Sequence, residues 1–344
     1  MTAELAIDGG EPVREDTLPY GGQSIDGSDV EAVAEVLRSD WLTTGPNVEA
    51  FEEAFAEAVG AREAVAVSNG TAALHAAVHA LDISEGDEVV VPPMTFAASA
   101  NCVLYVGGRP VLADVRSDTL LLDPERAEER VTGRTRALLA VDYTGQPCEY
   151  RALRELADRH GLALVADACH ALGGSYRGEP VGSLADLNVF SLHPVKPITS
   201  GEGGVITTDD PDLARRMRRF RHHGMSRTHT DREDDVTWEY DVVELGYNYR
   251  LTDFQCALGR SQLRRLPAFV ERRREIAATY DGALGEIEGV SPLAVRDDVE
   301  HAYHLYVVRL DLDRLDADRR QVFRALHAEG IGVNVHYIPL NLLS

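Results

Sequence analysis

The chain of 344 residues is poor in positive charge and contains a single lysine. Its 34 Lys and Arg residues face 57 Asp and Glu residues, which gives a formal net charge of -23 at pH 7. Such an acidic surface repels nucleic acid and anionic membranes, so we expect neither as a partner. Hydrophobic residues make up 44% of the chain, enough to bury a sizeable core.

Cysteine is also scarce: four residues lie far apart and form no CxxC pair. This spacing argues against a disulfide framework and against structural zinc. The twelve histidines show no HExxH or similar ligand spacing. We therefore predict no metal site.

Long apolar runs are missing, since no stretch approaches the roughly 18 residues that a membrane span requires. The N-terminal sequence MTAELAIDGGEPVRED has neither the basic nor the apolar segment of a secretory signal. We therefore expect a cytoplasmic protein without membrane contact.

Short apolar runs alternate with helix-like stretches between residues 63 and 208. The runs are AVAVSNG, EVVVPPM, RPVLADV, RALLAVDY, ALVADA, LNVFSL and GVITT. This alternation predicts an α/β domain with a mainly parallel sheet covered by helices. Helices are expected over residues 71–81 and 151–160, and within DPDLARRMRRFRHHG.

The pattern changes after GYNYRLTDFQCALGRSQLRRL. A long polar helix over residues 267–284 precedes HAYHLYVVRLD and GIGVNVHYIPL, and together these segments predict a strand, a helix and a strand of a smaller α+β domain. We divide the chain into an N-terminal arm (1–22), a large domain (23–255) and a small C-terminal domain (256–344).

The single lysine, Lys196, lies in the segment NVFSLHPVKPITSGEGG. A lysine amine, unlike a guanidinium, can lose its proton and attack a carbonyl carbon to form a Schiff base. The simpler alternative is that one lysine escaped a general replacement by arginine. The surrounding sequence decides between them, because a pyridoxal-phosphate enzyme also needs an acidic partner for the pyridine nitrogen and a phosphate cradle.

Candidates for both are present. Asp167 ends the run LALVADA, where the C-terminal end of a strand meets the ligand crevice of an α/β sheet. A carboxylate there would keep the ring nitrogen protonated; the alternative is a helix N-cap. In SNGTAALHAAV, Gly70 and Thr71 open a helix whose N-terminus attracts phosphate, although the same residues are often only a cap.

Further residues near these motifs fit the same site. Ser191 would add a hydroxyl to the cradle, and Phe96 would stack on the ring, although an aromatic after a strand is more often core. The glycines of SGEGGVITT permit a tight turn beside the lysine. That segment matches neither GxGxxG nor GxxxxGK[ST], which disfavours nicotinamide and nucleoside-triphosphate sites.

Taken together, these motifs resemble the DegT/DnrJ/StrS sugar aminotransferases, which have the fold type I of pyridoxal-phosphate enzymes. The resemblance covers residues 19–340 and rests on motifs that occur in order: YGGQSI, WLTTGPNVEAFE, VSNGTAALH, PPMTFAASAN, DACHALG, FSLHPVKPITSGEGG, GYNYRLTD and GIGVNVHYIPL. Family members usually continue beyond HYIPL, so we expect the small domain to be incomplete.

The resemblance implies a role for each matching residue. Lys196 would bind pyridoxal 5'-phosphate and then move a proton, Asp167 would pair with the pyridine nitrogen, and His170 would lie near the phenolic oxygen. The phosphate would be held by Gly70, Thr71 and Ser191, and Phe96 would cover the ring. The family also contains dehydratases with histidine in place of the lysine, so Lys196 indicates transamination.

The resemblance also implies a homodimer with shared active sites, in which Asn248 reaches the phosphate of the partner. Weaker candidates for substrate or partner-subunit contacts are Tyr20, Gln23, Thr43, Thr44 and Arg250, whereas His336 and Tyr337 would face the sugar. Glutamate would be the amino donor.

Within the family the motifs most resemble transaminases that act on UDP-linked 4-keto-6-deoxy-N-acetylhexosamines in surface-glycan or pseudaminic-acid-type biosynthesis. Two alternatives remain open at this point. One is a catalytically silent relative that acts as a regulator or binding protein, and the other is a sugar dehydratase.

Overall fold

The computed structural model describes residues 4–227 and 237–343. Its centre is a seven-stranded sheet in the order β1-β9-β8-β5-β4-β2-β3. The strands are β1 (Glu63–Val67), β2 (Glu88–Val91), β3 (Arg109–Leu112), β4 (Thr135–Val141), β5 (Ala163–Asp167), β8 (Leu187–Ser191) and β9 (Gly204–Thr208). All seven apolar runs of the sequence therefore form strands, as predicted.

Neighbouring strands of β8, β5, β4, β2 and β3 pair in parallel, and only β9 runs against its two neighbours. This confirms the prediction of an α/β chain with a mainly parallel sheet. Because both faces are covered, side chains alternate between two apolar clusters: Val65 and Val67 belong to one, Ala64 and Ala66 to the other.

Helices pack on both faces of the sheet. Those of the first 220 residues are α1 (Gly27–Leu37), α2 (Pro46–Val59), α3 (Gly70–Ala80), α4 (Ala98–Tyr105), α5 (Pro124–Glu128), α6 (Tyr150–His160) and α7 (Pro211–Phe220). Their ends follow local chemistry: Asp210 caps α7 before Pro211, and Gly161 ends α6 in the left-handed conformation. The predicted helices are thus confirmed to within one residue at α3 and α6.

The long polar helix begins earlier than predicted. It is α8 (Asp253–Leu284), opened by a capping box between Thr252 and Gln255, and it contains Pro267 in its interior. The sequence prediction was wrong at this end because proline is favoured at a first helical position, which made Pro267 resemble a start. The predicted domain boundary at residues 255 and 256 lies in the first turn of α8, and the division into domains remains a prediction.

The C-terminal region has less sheet than predicted. It contains β10 (Val290–Pro292), β11 (Val299–Glu300), β12 (Val308–Leu310) and α9 (Arg319–Ala328), and β11 joins the short strands β6 (Ser175–Tyr176) and β7 (Glu179–Pro180). The predicted strand in GIGVNVHYIPL is wrong, because Ile331 makes only an isolated bridge to Leu18 of the N-terminal arm. Among the described residues, no helix combines the length and apolar character needed to cross a membrane.

Candidate active site

The candidate site lies at the C-terminal ends of parallel strands. β5 ends at Asp167, which pairs with Val189 of β8, and β8 ends at Ser191. The chain then turns, with the Lys196 amide donating to the His193 carbonyl oxygen at 2.9 Å. Lys196 and Asp167 therefore come from adjacent strand ends, the usual crevice for ligands in an α/β sheet.

Glycines shape the segment that follows Lys196. Gly201 has φ +83°, and a Cβ on Gly203 would lie 2.4 Å from the Ser200 hydroxyl oxygen. A Cβ on Gly204 would lie 2.4 Å from the Asn69 carbonyl oxygen. A larger side chain at Gly204 would therefore push β9 away from the turn that precedes α3, and one at Gly203 would clash with Ser200 and Leu192 in the lysine loop.

The amine of Lys196 is in an environment that favours its neutral form. Burial lowers the Lys196 pKa below its ordinary value, and this effect is partly opposed by Cys169 and Asp167. A lowered pKa increases the fraction of free amine, the form that attacks a carbonyl carbon. The site thus suits the nucleophilic role that the sequence predicts.

Asp167 is held by two donors. The Ser99 hydroxyl donates to its Oδ2 at 2.6 Å, and the Cys169 amide donates to its Oδ1 at 3.3 Å. The side chain is buried, yet each carboxylate oxygen keeps a lone pair for another donor. The helix-cap alternative for Asp167 is wrong, because no helix begins between β5 and residue 175, and its shorter hydrogen bond is donated by a side chain on α4.

The predicted phosphate cradle lies at the start of α3. The Asn69 side chain caps the helix by accepting from the Ala72 amide. The amides of Gly70 and Thr71 belong to the first turn, where backbone donors have no intrahelical acceptor. A Cβ on Gly70 would lie 2.9 Å from the Ser191 Cβ. The helix N-terminus and the Ser191 hydroxyl therefore adjoin, a donor set that fits a phosphate group.

His170 occupies a cluster of buried aromatic side chains. Its Nε2 lies 3.2 Å from the Tyr337 hydroxyl, and its ring centroid is 4.4 Å from that of His304. Burial and the nearby Lys196 hold the His170 pKa well below its ordinary value, so the imidazole is neutral. Its buried Nδ1 has no partner among the described residues, as fits a site that takes a polar ligand.

Aromatic side chains from three parts of the chain form the rim. The Phe96 ring is 60% exposed and lies 6.1 Å from the Tyr337 ring, while the Tyr20 ring is 5.6 Å from that of His336. The N-terminal arm also passes the lysine loop, since a Cβ on Gly21 would lie 3.7 Å from the Val195 Cβ. Gln23 is exposed on this arm.

The remaining predicted residues lie elsewhere. Arg250 Nη1 is 3.0 Å from His222 Nδ1. Asn248 forms an isolated antiparallel β-bridge with His222, and Thr43 forms one with Thr252. Thr44 and Arg250 line a separate cavity of about 600 Å³. In the described part of the chain, no hydrogen bond, ion pair or ring contact joins these residues to Lys196, Asp167 or His170, and their predicted role toward a partner subunit stays a prediction.

Several residues of the site were missed at the sequence level. They are Thr95, Ser99, Asp142, Tyr143 and His304. Asp142 had a usable signal, because it ends the run RALLAVD in the same way that Asp167 ends LALVAD. Its amide donates to the Asp167 carbonyl oxygen at 3.0 Å, which places the two acids on adjacent strand ends.

Asp142 gives the fold a pH dependence. Burial raises the Asp142 pKa from 3.8 to about 7, against the lowering effect of hydrogen bonds from the Cys148 amide and the Tyr150 hydroxyl. The folded chain thus holds an extra proton between about pH 4 and pH 7. Because a raised acid pKa removes stability as pH rises, the contribution of Asp142 to folding stability should fall across this window by roughly 4 kcal/mol.

Asp142→Asn should remove this loss, because the amide oxygen still accepts from Tyr150 and never ionises. We expect the urea midpoint of the wild type to fall relative to the variant between about pH 4 and about pH 7. Both proteins should weaken together in acid, where His301, with a pKa lowered to about 3, must stay neutral in the fold. Parallel midpoints across the range would contradict the assignment.

Comparisons with known proteins place the chain in a family. Residues 23–344 match the DegT/DnrJ/EryC1/StrS aminotransferase family. The spore coat polysaccharide biosynthesis protein SpsC of Bacillus subtilis is 41% identical over 327 residues, which is 94% of this chain and 84% of that protein.

Two solved structures have the same fold. Spr1654 from Streptococcus pneumoniae, solved in a PMP form, a PLP form and an apo form, superposes in its PMP form with a TM-score of 0.89 at 32% identity, covering 95% of this chain and 87% of that one. PseC from Helicobacter pylori, an aminotransferase involved in the biosynthesis of pseudoaminic acid, gives 0.88 at 33% identity, covering 95% and 86%.

The aminotransferases of this family depend on pyridoxal phosphate and act on keto sugars linked to a nucleotide. The mainly parallel sheet covered by helices is that of fold type I, as the resemblance implied. The buried lysine, the acid and the donors at the start of α3 are the residue types that this cofactor requires. The chain therefore belongs to the DegT/DnrJ/EryC1/StrS family and is a pyridoxal-phosphate-dependent sugar aminotransferase.

Proposed function

We propose that this enzyme transfers an amino group from glutamate to C4 of a UDP-linked 4-keto-6-deoxy-N-acetylhexosamine, in surface-glycan or pseudaminic-acid-type biosynthesis. The observation that carries the proposal is the single lysine beside Asp167 in a crevice with an aromatic rim. The roles that the names of SpsC and PseC give to those proteins support this substrate class.

The residues around Lys196 would hold the cofactor. Gly70, Thr71 and Ser191 would bind its phosphate, Phe96 would cover the ring, and Asp167 would pair with the ring nitrogen. When bound, pyridoxal phosphate supplies an electron sink for the negative charge that develops at the substrate carbon.

Lys196 would then act as the acid and base. Its Nζ, with a pKa lowered by burial, would take a proton from the α-carbon of the amino donor and deliver it to the C4′ carbon of the cofactor. The neutral imidazole of His170, joined through Nε2 to the Tyr337 hydroxyl, would hydrogen-bond the phenolic oxygen without adding a positive charge. The rest of the crevice would orient the substrate and exclude water.

The sugar would bind at the aromatic rim. Tyr20 of the arm packs near His336 of the C-terminal segment, and Tyr337 continues the rim toward His170. Gln23, three residues after Tyr20, would also contact the sugar. Rings with one polar edge suit a sugar, because they present an apolar face and a hydrogen-bonding group.

A homodimer would complete the site. Asn248, Thr43, Thr44 and Arg250 lie away from Lys196 in this chain, as expected of residues that serve the partner's cofactor and substrate. A two-fold interface would supply each site with the same residues from the other copy. A single-chain mass for the active enzyme in solution would contradict this arrangement.

The proposal is tested by supplying purified enzyme with pyridoxal phosphate, glutamate and matched keto sugars. We expect formation of 2-oxoglutarate and of a 4-amino sugar from the UDP-linked N-acetylhexosamine, with at least about tenfold lower kcat/KM for a TDP-linked hexose that lacks the acetamido group. NMR of the product identifies the aminated carbon.

The Lys196→Ala variant is the matched negative control for this assay. Amination at another carbon, or preference for the TDP sugar, would contradict the proposed substrate but would leave the aminotransferase assignment intact. A deoxygenated sugar formed without stoichiometric 2-oxoglutarate would indicate the dehydratase reaction instead.

A further inference from the structure

The hydroxyl groups of Thr95 and Ser99 lie next to Asp167, and the proposed function gives them no role. Thr95 Oγ1 lies 2.6 Å from Ser99 Oγ, and Ser99 Oγ lies 2.6 Å from Asp167 Oδ2. All three side chains are buried, and Ser99 is 0% exposed. They form a continuous line of short hydrogen bonds that ends on the carboxylate.

Helix capping does not explain these hydroxyls. Thr95 and Ser99 flank the start of α4, where such side chains usually accept from backbone amides. The N-terminus of α4 nevertheless has no side-chain cap, and neither hydroxyl bonds a backbone group in the described residues. Both are instead directed along the line to Asp167.

The direction of the bonds follows from the charge of Asp167. An ionised carboxylate only accepts, so Ser99 must donate its one proton to Asp167. Thr95 must then donate to Ser99. Such a chain is cooperative, because each donated bond polarises the next, and its last bond is charge-assisted and therefore strong.

We infer that Ser99 and Thr95 are positioning residues that keep Asp167 ionised and oriented, so that the proton shared with the cofactor stays on the ring nitrogen rather than on the carboxylate. This inference rests on the proposed role of Asp167. Without the donated bond, the buried carboxylate would bind that proton more readily and the ring would be a weaker electron sink.

Other titratable groups surround the same carboxylate from several elements. They are Lys196 and Cys169 near the end of β8, Cys102 on α4, Asp142 after β4, Tyr150 on α6 and Tyr337 on the C-terminal segment. Of these groups, the Cys169 thiol also hydrogen-bonds Asp167, and this bond contributes to the raised pKa of the thiol. Ser99 is the donor that links Asp167 to Thr95, so its removal breaks the line of hydroxyls and leaves the Cys169 thiol in place.

The test compares Ser99→Ala, Thr95→Val and Thr95→Ser as holoenzymes carrying cofactor labelled with ¹⁵N in the ring. The ¹⁵N chemical shift reports whether that nitrogen is protonated. We expect the ratio of protonated to unprotonated ring to fall about tenfold in Ser99→Ala and about threefold in Thr95→Val. Thr95→Ser keeps the hydroxyl and should match the wild type.

The same order should appear in kcat, with little change in KM for glutamate, because the crevice keeps its shape. Thermal unfolding of each variant separates this effect from a loss of stability. A ¹⁵N shift that is unchanged in Ser99→Ala and Thr95→Val, with only the melting temperature lowered, overturns the inference. If Ser99→Ala does not fold, the Thr95→Val and Thr95→Ser pair decides by the same criterion.

Failure of the inference is distinguishable from failure of the proposed function. A protonated ring nitrogen in the wild type and in every variant rejects the hydroxyl chain but keeps Asp167 as the ring partner. An unprotonated ring nitrogen in the wild type rejects the role of Asp167 itself, on which the inference depends.

Discussion

Lys196→Ala should abolish amino transfer, with a loss on the order of 10²–10⁴-fold from the missing proton transfer alone. The chain has no other lysine that could replace it. The variant should still bind pyridoxal phosphate through the cradle of Gly70, Thr71 and Ser191, but without the absorption band of the lysine-bound cofactor. Steady-state assays with glutamate and the absorption spectrum of the loaded protein measure the two effects.

Lys196→Arg is the matched control. It keeps a cation and a long side chain, but a guanidinium does not give up its proton at any relevant pH, so the loss should be as large as in Lys196→Ala. A small primary amine added to Lys196→Ala should restore part of the activity, because the vacated space can admit a free base. Activity of either variant within about tenfold of the wild type would reject Lys196 as the acid and base.

The sheet and the centre of the site were predictable because their signals are local. Each strand of the central sheet is a short apolar run, and Lys196 is the only lysine in the sequence. Asp167 follows a rule of parallel sheets, in which ligands bind at the C-terminal ends of strands. A single sequence therefore carries enough information for these elements and for the chemistry they support.

The surroundings of the site were less predictable because they depend on distant contacts. Tyr337 reaches His170 across 167 positions, and the N-terminal arm pairs with Ile331 where a strand was expected. The apolar alternation in GIGVNV resembles a strand, but the Gly332 amide donates to the Leu18 carbonyl oxygen of the arm. No local pattern indicates which segment will accept such a bond.

Thr95 and Ser99 show a second limit. In PPMTFAASAN they resemble any small polar residues at a helix start, and the usual interpretation is a cap. Only the packing of α4 beside the end of β5 shows that their hydroxyls are directed to a carboxylate. After Lys196, the charge of Asp167 is the feature on which we expect activity to depend most.

Asp167→Asn should lower kcat by about 10²–10³-fold, because it removes the buried charge that would pair with the ring nitrogen. The amide oxygen can still accept from the Ser99 hydroxyl, so the fold should be retained and the melting temperature should change little. The lysine-bound cofactor should still form, since loss of the Asp167 charge lowers the Lys196 pKa further and favours its free amine. Steady-state kinetics and the absorption spectrum together test this separation of binding from turnover.

Asp167→Glu supplies the matched comparison, because it keeps the charge while displacing it by one methylene. If charge is the essential property, the glutamate variant should be closer to the wild type than the asparagine variant in both kcat and the ¹⁵N shift of the ring. If position matters more, both should be equally impaired, since Asp167 is confined by the Ser99 hydroxyl and the Cys169 amide. Near-normal turnover by Asp167→Asn would show that the ring nitrogen needs no anionic partner here, and would remove the physical basis for the roles of Ser99 and Thr95 as well.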